Sequence, residues 1–174
     1  MRELTQERLK ELLHYDPDTG VFTWTFRRGR VSTGQDAGTL TNGYIVVGID
    51  GCSYRAQRLA WFYMHGSWPR KYIDHINRIK TDNGFINLRE ATSAENQRNV
   101  GIGKGNRSGF KGVFWEPERK KWKARVQFNK RKYTLGRFER INDAIIAYEN
   151  FCQKYHGQFY SPQEINESVN GYYK

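Results

Sequence analysis

The chain has 174 residues, a net charge of +11, a hydrophobic fraction of 37% and an aromatic fraction of 15%. The low apolar content is offset by Trp, Tyr and Phe, which each bury a large area, so extended disorder is excluded. No apolar run approaches the roughly 20 residues a membrane-spanning helix needs. Cys52 and Cys152 stand far apart with no Cys-x-x-Cys, which argues against a thiolate zinc site and fits a reducing compartment.

Thr5 stands at a helix N-cap position, and Leu4, Leu9, Leu12 and Leu13 follow at near-helical spacing. The pattern predicts a charged helix, not a signal peptide, that runs to the turn cluster YDPDTG (15–20) and stops at Pro17. VFTWTF (21–26) alternates as a strand, and residues 27–43 read as a loop. YIVVGIDGCSYRA (44–56) reads as a hairpin turning at Asp50-Gly51, and QRLAWFYMHG (57–66) as a helix ended by Gly66. YIDH, the polar loop NRIKTDNG, INLRE and TSAENQRN then read as strand, loop, strand and helix, with Thr92 and Glu95 as a capping box. GIGKGNRSG (101–109) is a linker by composition. FKGVFWE, KWKARVQFN and RKYTLGRF predict a three-stranded meander. Ile141, Ala144, Ile145, Tyr148, Phe151, Cys152 and Tyr155 share one face of a helix that Gly157 closes. His14, His65 and His156 are isolated and read as structural, the last two as cations near helix C-termini.

The segment YIDHINRIKTDNGFINLREATSAEN carries the chemistry. Phosphodiester hydrolysis needs an activated water and charge neutralisation at the phosphate. His75 has the ordinary pKa of a base that works near neutral pH. Asp74 and Asn96 offer oxygen ligands to a hard cation, which takes one or two protein ligands and completes its shell with water and phosphate oxygens. On a regular strand Asp74 and His75 would face opposite ways, so a bend at Ile76-Asn77 is expected to aim them together. The Asn87 amide suits a brace across the polar loop.

On these residues, Asp74-His75, Asn87 and Asn96 in a ββα pattern, the chain resembles the HNH nucleases, in particular the homing endonucleases of phages and introns. Arg58-Leu59-Ala60-Trp61, Gly66, Pro69, Asp82-Asn83, Asn87-Leu88-Arg89 and Glu95-Asn96 extend the resemblance over about residues 55–100. It implies that His75 is the general base, that Asp74 and Asn96 bind one divalent cation (Mg²⁺, with Mn²⁺ the other candidate), and that Asn87 supports the catalytic strand. Gln57 stands where relatives often carry His, and Gly84 where they often carry Arg.

Charge is concentrated further on. Residues 104–160 hold 14 Lys and Arg against 5 Asp and Glu, net +9, which points to a polyanion partner. In the meander, Val113, Trp115, Trp122, Ala124, Val126, Phe128, Tyr133 and Leu135 alternate onto one face, which the helix is expected to cover. The other face carries Phe114, Glu116, Lys123, Arg125, Gln127, Lys132 and Thr134. Such a sheet can enter the major groove, where Arg and Gln read base edges and Lys meets phosphates. SGFKGVFWE, Trp122, Ala124, Leu135-Gly136, Phe138, Ala144, Ala147 and Tyr148 resemble the ethylene-response-factor (Apetala-two) DNA-binding domain. That resemblance implies DNA contacts at Lys111, Phe114, Glu116, Arg125, Gln127 and Thr134.

The expected fold class is α+β: a ββα-metal nuclease module at residues 1–100, a linker at 101–109, a three-stranded antiparallel sheet packed on one helix at 110–160, and a polar tail at 161–174. The expected function is metal-dependent, site-specific cleavage of double-stranded DNA in the cytoplasm, that of the host cell if the chain is phage-encoded. One site per chain implies nicking unless two chains cooperate. The alternative is a non-catalytic DNA-binding regulator with a relic nuclease fold.

Overall fold

A computed structural model of the chain describes residues 3–27, 29–102, 105–160 and 162. It divides into two compact units, residues 1–93 and 94–174. Among the described residues there are four α-helices and four small antiparallel sheets. No helix among them is long and apolar enough to cross a membrane, and neither Cys52 nor Cys152 forms a disulfide.

In the first unit, α1 (Gln6–Leu12) starts at Thr5, whose hydroxyl accepts the Arg8 N–H at 3.2 Å. It ends before the expected stop at Pro17. Leu13–Tyr15 is strand β1, with Leu13 and Tyr15 buried and His14 exposed, and it pairs with β2 (Phe22–Trp24). The correction has a simple cause. A helix cannot bury both Leu13 and Tyr15 while exposing His14, but a strand of period two does. Residues 27–43, expected to be a loop, contain β3 (Thr39–Thr41). It joins β4 (Tyr44–Ile49) and β5 (Cys52–Arg55) in the order β3-β4-β5. Both hairpins turn on two left-handed residues, Asn42-Gly43 and Asp50-Gly51, which match the right-handed twist of the flanking strands.

Helix α2 (Ala56–His65) ends at left-handed Gly66 and buries Leu59, Ala60 and Phe62. With Leu9, Leu13, Tyr15, Phe22, Val47 and Ile49 these form one core, each large side chain contributing about 1.5–3 kcal/mol of hydrophobic stabilisation. Strand β6 (Tyr72–His75), a polar loop ending in a 3₁₀ turn (Phe85–Asn87), and β7 (Leu88–Ala91) follow, the two strands pairing antiparallel. Helix α3 (Ser93–Asn99) comes next, at the division between the units.

The second unit holds β8 (Val113–Glu116), β9 (Lys121–Phe128) and β10 (Arg131–Phe138) in the order β10-β9-β8, with α4 (Ile141–His156) packed on them. Val113, Trp122, Ala124 and Val126 meet Ala144, Ile145, Tyr148 and Cys152 in its core. Gly112, at φ +78, lets the backbone lie under the Tyr148 ring, where a Cβ would stand 2.1 Å away. Trp115, Tyr133 and Leu135 lie on the inner face as alternation predicts, Trp115 opposite Trp122, Tyr133 opposite Val126 and Leu135 packed against the core. Trp115 and Tyr133 sit on edge strands and remain 38% and 39% exposed. A register shift between Thr134 and Gly136 makes Leu135 the unpaired residue, so Gly136 and Phe138 lie opposite Ala124 and Trp122.

His65 is exposed and packs on Trp61 with ring centroids 4.4 Å apart. His156 corrects the reading of it as a helix-end cation. It is buried against Phe128, and its Nε2 has no partner among the described residues. Burial, then the nearby charges of Arg98 and Lys111, pushes its pKa down to about 4. Between that value and the ordinary 6.5 the unfolded chain binds a proton that the folded chain refuses. Stability attributable to this site is therefore complete above 6.5 and is lost as pH falls towards 4, by roughly 3 kcal/mol at most. His156→Phe should remove that dependence, read as a smaller drop in melting temperature between pH 7 and pH 4.5; an unchanged drop would show that other groups cause it.

Candidate active site

Regular pairing runs to the end of β6, with Asp74 opposite Arg89 and His75 opposite Leu88. The two side chains engage different partners. Asp74 is 5% exposed, and its Oδ2 accepts two N–H bonds from Arg89, at 2.9 Å from Nε and 2.8 Å from Nη2. His75 is equally buried, and its Nε2 lies 3.2 Å from Asn83 Oδ1. The bend expected at Ile76-Asn77 is a turn that begins after His75, closed by the Arg78 N–H on the His75 carbonyl at 3.0 Å.

Asn83 sets the tautomer of His75. Its Nδ2 donates to the Thr81 carbonyl at 3.1 Å, which turns Oδ1 towards the imidazole. Oδ1 can only accept, so neutral His75 carries its proton on Nε2 and has its lone pair on Nδ1. Burial lowers the pKa of His75 from its ordinary 6.5. The Asn83 bond and the carboxylates of Asp74 and Asp82 oppose that shift, and Lys80 adds to it. The imidazole is therefore neutral, and able to take a proton, at pH 7.

The loop between the strands is tied together by amides. Asn87 Oδ1 accepts the Asn77 N–H at 2.9 Å, and its Nδ2 donates to Asn77 Oδ1 at 3.0 Å and to the Asp82 carbonyl at 2.8 Å. The Asn87 carbonyl accepts the Ile76 N–H at 2.9 Å, next to His75. A second set of contacts comes from the β1–β2 turn. Tyr15 donates its hydroxyl to the Asn83 carbonyl at 2.7 Å, and the Phe85 N–H reaches the Pro17 carbonyl at 2.7 Å. Gly20, at φ +74, approaches so closely that a Cβ would lie 2.2 Å from the Asn83 carbonyl carbon.

Asn96 is the fourth residue of α3. Among the described residues no group of three or more His, Cys, Asp or Glu side chains could hold a metal. Any cation here must complete its shell with amide, water or substrate oxygens. A buried carboxylate held in one orientation by Arg89 is an oxygen donor of the kind a hard divalent cation accepts. Gln57, at the start of α2, is 3% exposed with its Oε1 unpartnered among the described residues.

In the second unit, Phe114, Lys123, Arg125, Gln127, Lys132 and Thr134 lie on the sheet face away from α4. Lys123 stands opposite Phe114, Arg125 opposite Thr134, and Gln127 opposite Lys132. The Arg125 guanidinium lies 5.1 Å from the Phe114 ring centroid, which gives that exposed aromatic a partner. Glu116 lies on the same outer face, among its cations. It pairs with Lys123 at 2.9 Å and Arg137 at 2.6 Å, and these bonds hold its carboxyl down to about 2. The Lys111 ammonium donates to the carbonyls of Gln97, Arg98 and Val100 around the end of α3.

Simple alternation missed Arg137. The bulge at Leu135 reverses parity and places Arg137 opposite Lys123 on the outer face. Asn83 and Arg89 were visible only as flanking positions, because nothing local distinguishes a histidine acceptor or a carboxylate partner from a turn residue or a surface cation.

Comparison with known proteins adds a family. Residues 54–98 match the family described as HNH endonuclease, which generally uses a divalent metal and acts on nucleic acid. Protein 3.8 of Escherichia phage T7 is 31% identical over 110 residues, covering 61% of this chain and 90% of that protein. No solved structure matches the chain. These matches lend no support to the Apetala-two resemblance.

Proposed function

Starting from a chain that belongs to the family of phage T7 protein 3.8 and holds an HNH endonuclease domain at residues 54–98, we propose a metal-dependent DNA endonuclease of homing type that nicks duplex DNA in the host cytoplasm. The observation that carries this reading is His75: buried, neutral at pH 7, and held in one tautomer by Asn83 beside Asp74. His75 Nδ1 takes a proton from water, the resulting hydroxide attacks phosphorus, and the P–O3′ bond breaks, the leaving oxygen collecting a proton from solvent. Asp74 and Asn96 would hold one divalent cation, Mg²⁺ or Mn²⁺, which when bound neutralises charge at the phosphate and the leaving oxygen. Asn87 keeps the loop closed around His75. The outer sheet face, with Phe114, Lys123, Arg125, Gln127, Lys132, Thr134 and Arg137, lies along the major groove, as the resemblance to the ethylene-response-factor domain suggests.

A second reading has its own observation. Both Arg89 N–H groups engage Asp74 Oδ2, an arrangement that also suits a purely structural carboxylate in a DNA-binding relic. Supercoiled plasmid separates the two. Conversion to the open-circular form with Mg²⁺ or Mn²⁺, and none with EDTA, is expected of the nuclease. Tight plasmid binding without nicking under any divalent metal would favour the relic.

A further inference from the structure

Two cations meet on one aromatic ring near His75. The Arg55 guanidinium lies 4.3 Å from the Tyr44 ring centroid and the Lys80 ammonium 4.7 Å from the same point. The Tyr44 and His75 ring centroids are 6.3 Å apart. All four residues belong to the first unit.

The backbone explains the meeting. Tyr44 opens β4 immediately after the Asn42-Gly43 turn. Arg55, the last residue of β5, is opposite Val46, two residues along β4 on the same face as Tyr44. Lys80 comes from the polar loop after β6. Its aliphatic stem packs at the turn, with Cδ 3.7 Å from where a Cβ on Gly43 would stand. Three chain segments thus deliver one ring and two positive charges to a single place.

Such an arrangement is costly by itself. Two cations within about 9 Å of each other repel, and cation–π attraction at exposed sites returns only about 0.5–1 kcal/mol each. Arg55 and Lys80 are both exposed, and neither has a carboxylate partner within 4.0 Å among the described residues. Contrast Arg8, also exposed, which pairs with Glu11 and Asp50, and Arg137, which pairs with Glu116. A ring that orients two unneutralised cations beside a candidate general base is suited to an anionic chain that passes both charges.

We infer that Tyr44, Arg55 and Lys80 form a clamp for the phosphodiester backbone next to the bond that His75 serves. The inference rests on the nuclease reading for its purpose, but its binding test does not. The clamp recognises phosphate charge and not base sequence, so it fixes the register of the strand while discrimination is left to other contacts. Tyr44 is a positioning residue that aims the two cations.

The test uses the full chain with His75→Ala, a 30-base-pair duplex labelled with a fluorophore, and EDTA throughout. Anisotropy titrations across a salt series give the slope of log affinity against log salt. Adding Arg55→Ala and Lys80→Ala should lower that slope by about 1.8, since each phosphate contact on duplex DNA contributes about 0.9. Tyr44→Leu should weaken low-salt binding with both charges retained, and Lys80→Arg should preserve it. A double variant with unchanged slope and affinity overturns the clamp. In the His75 background any nicking activity is irrelevant, so failure of the nuclease reading shows separately, as wild type that binds with the full slope and never cuts. If wild type does cut, the double variant should raise KM by tenfold or more with a smaller change in kcat. Unchanged KM would again overturn the clamp.

Discussion

His75→Ala should lower the nicking rate by about 10²–10⁴-fold, the usual worth of a positioned general base, and leave DNA affinity unchanged. The imidazole is buried, so it is not placed to contribute a surface charge to binding. The same side chain predicts the pH profile. Protonated His75 cannot accept a proton from water, and burial holds its pKa below the ordinary 6.5. Activity should therefore be flat above pH 6.5 and fall only as pH drops through a value below it. Asn83→Leu removes the bond that raises this pKa. That variant should move the acid limb to still lower pH and also lower the plateau rate, because the imidazole is no longer held with Nδ1 as its base. Initial rates from pH 5 to 8 for wild type, Asn83→Leu and His75→Ala check all three statements. An acid limb that stays in place in Asn83→Leu would remove Asn83 from the mechanism.

Gly20→Ala should cost about 2–5 kcal/mol, more than most single substitutions. Two effects add. The residue is held at φ +74, where a Cβ is strained by roughly 1–2 kcal/mol. That Cβ would also stand 2.2 Å from the backbone at Asn83 and Gly84, an overpacking of about 1–3 kcal/mol against atoms that cannot rotate away. The turn cannot simply withdraw, since the Gly20 N–H bonds to the Asp16 carbonyl at 2.8 Å and the Pro17 carbonyl holds Phe85. The loop that carries Asn83 should be displaced instead, so nicking should suffer along with stability. Gly34→Ala is the control: its φ is +81, and a Cβ there meets nothing within 4 Å. Thermal melts of the two variants isolate the contact, and equal losses would show that only backbone strain matters.

Much of the architecture was legible locally. The Thr5 cap, the Asp50-Gly51 turn, the end of α2 at Gly66 and the C-terminal meander all rest on signals within a few residues. Where local signals conflicted, the reading went wrong. Leu13 continued a helical leucine pattern, yet burial of Leu13 and Tyr15 on one side of a strand prevailed. Asn42-Gly43 is itself a hairpin signal, but the short exposed strand before it, Thr39–Thr41, has no apolar alternation to mark it. Alternation through RKYTLGRF assumed an unbroken ladder, and the bulge at Leu135 moved Arg137 to the outer face.

By itself the sequence determined which chemical groups are present and in what order: a basic chain, an Asp-His pair followed by amides, and a charged meander ahead of an amphipathic helix. Tertiary structure alone decided what each group does. Tyr15 reaches the Asn83 carbonyl across 68 positions, and Asp74 meets Arg89 across 15. Lys111 folds back onto carbonyls 11 to 14 residues before it, and Tyr44 gathers Arg55 and Lys80 from two other segments. Contacts of this kind depend on how sheets and turns pack, and that packing leaves no periodic trace in the residues that make them.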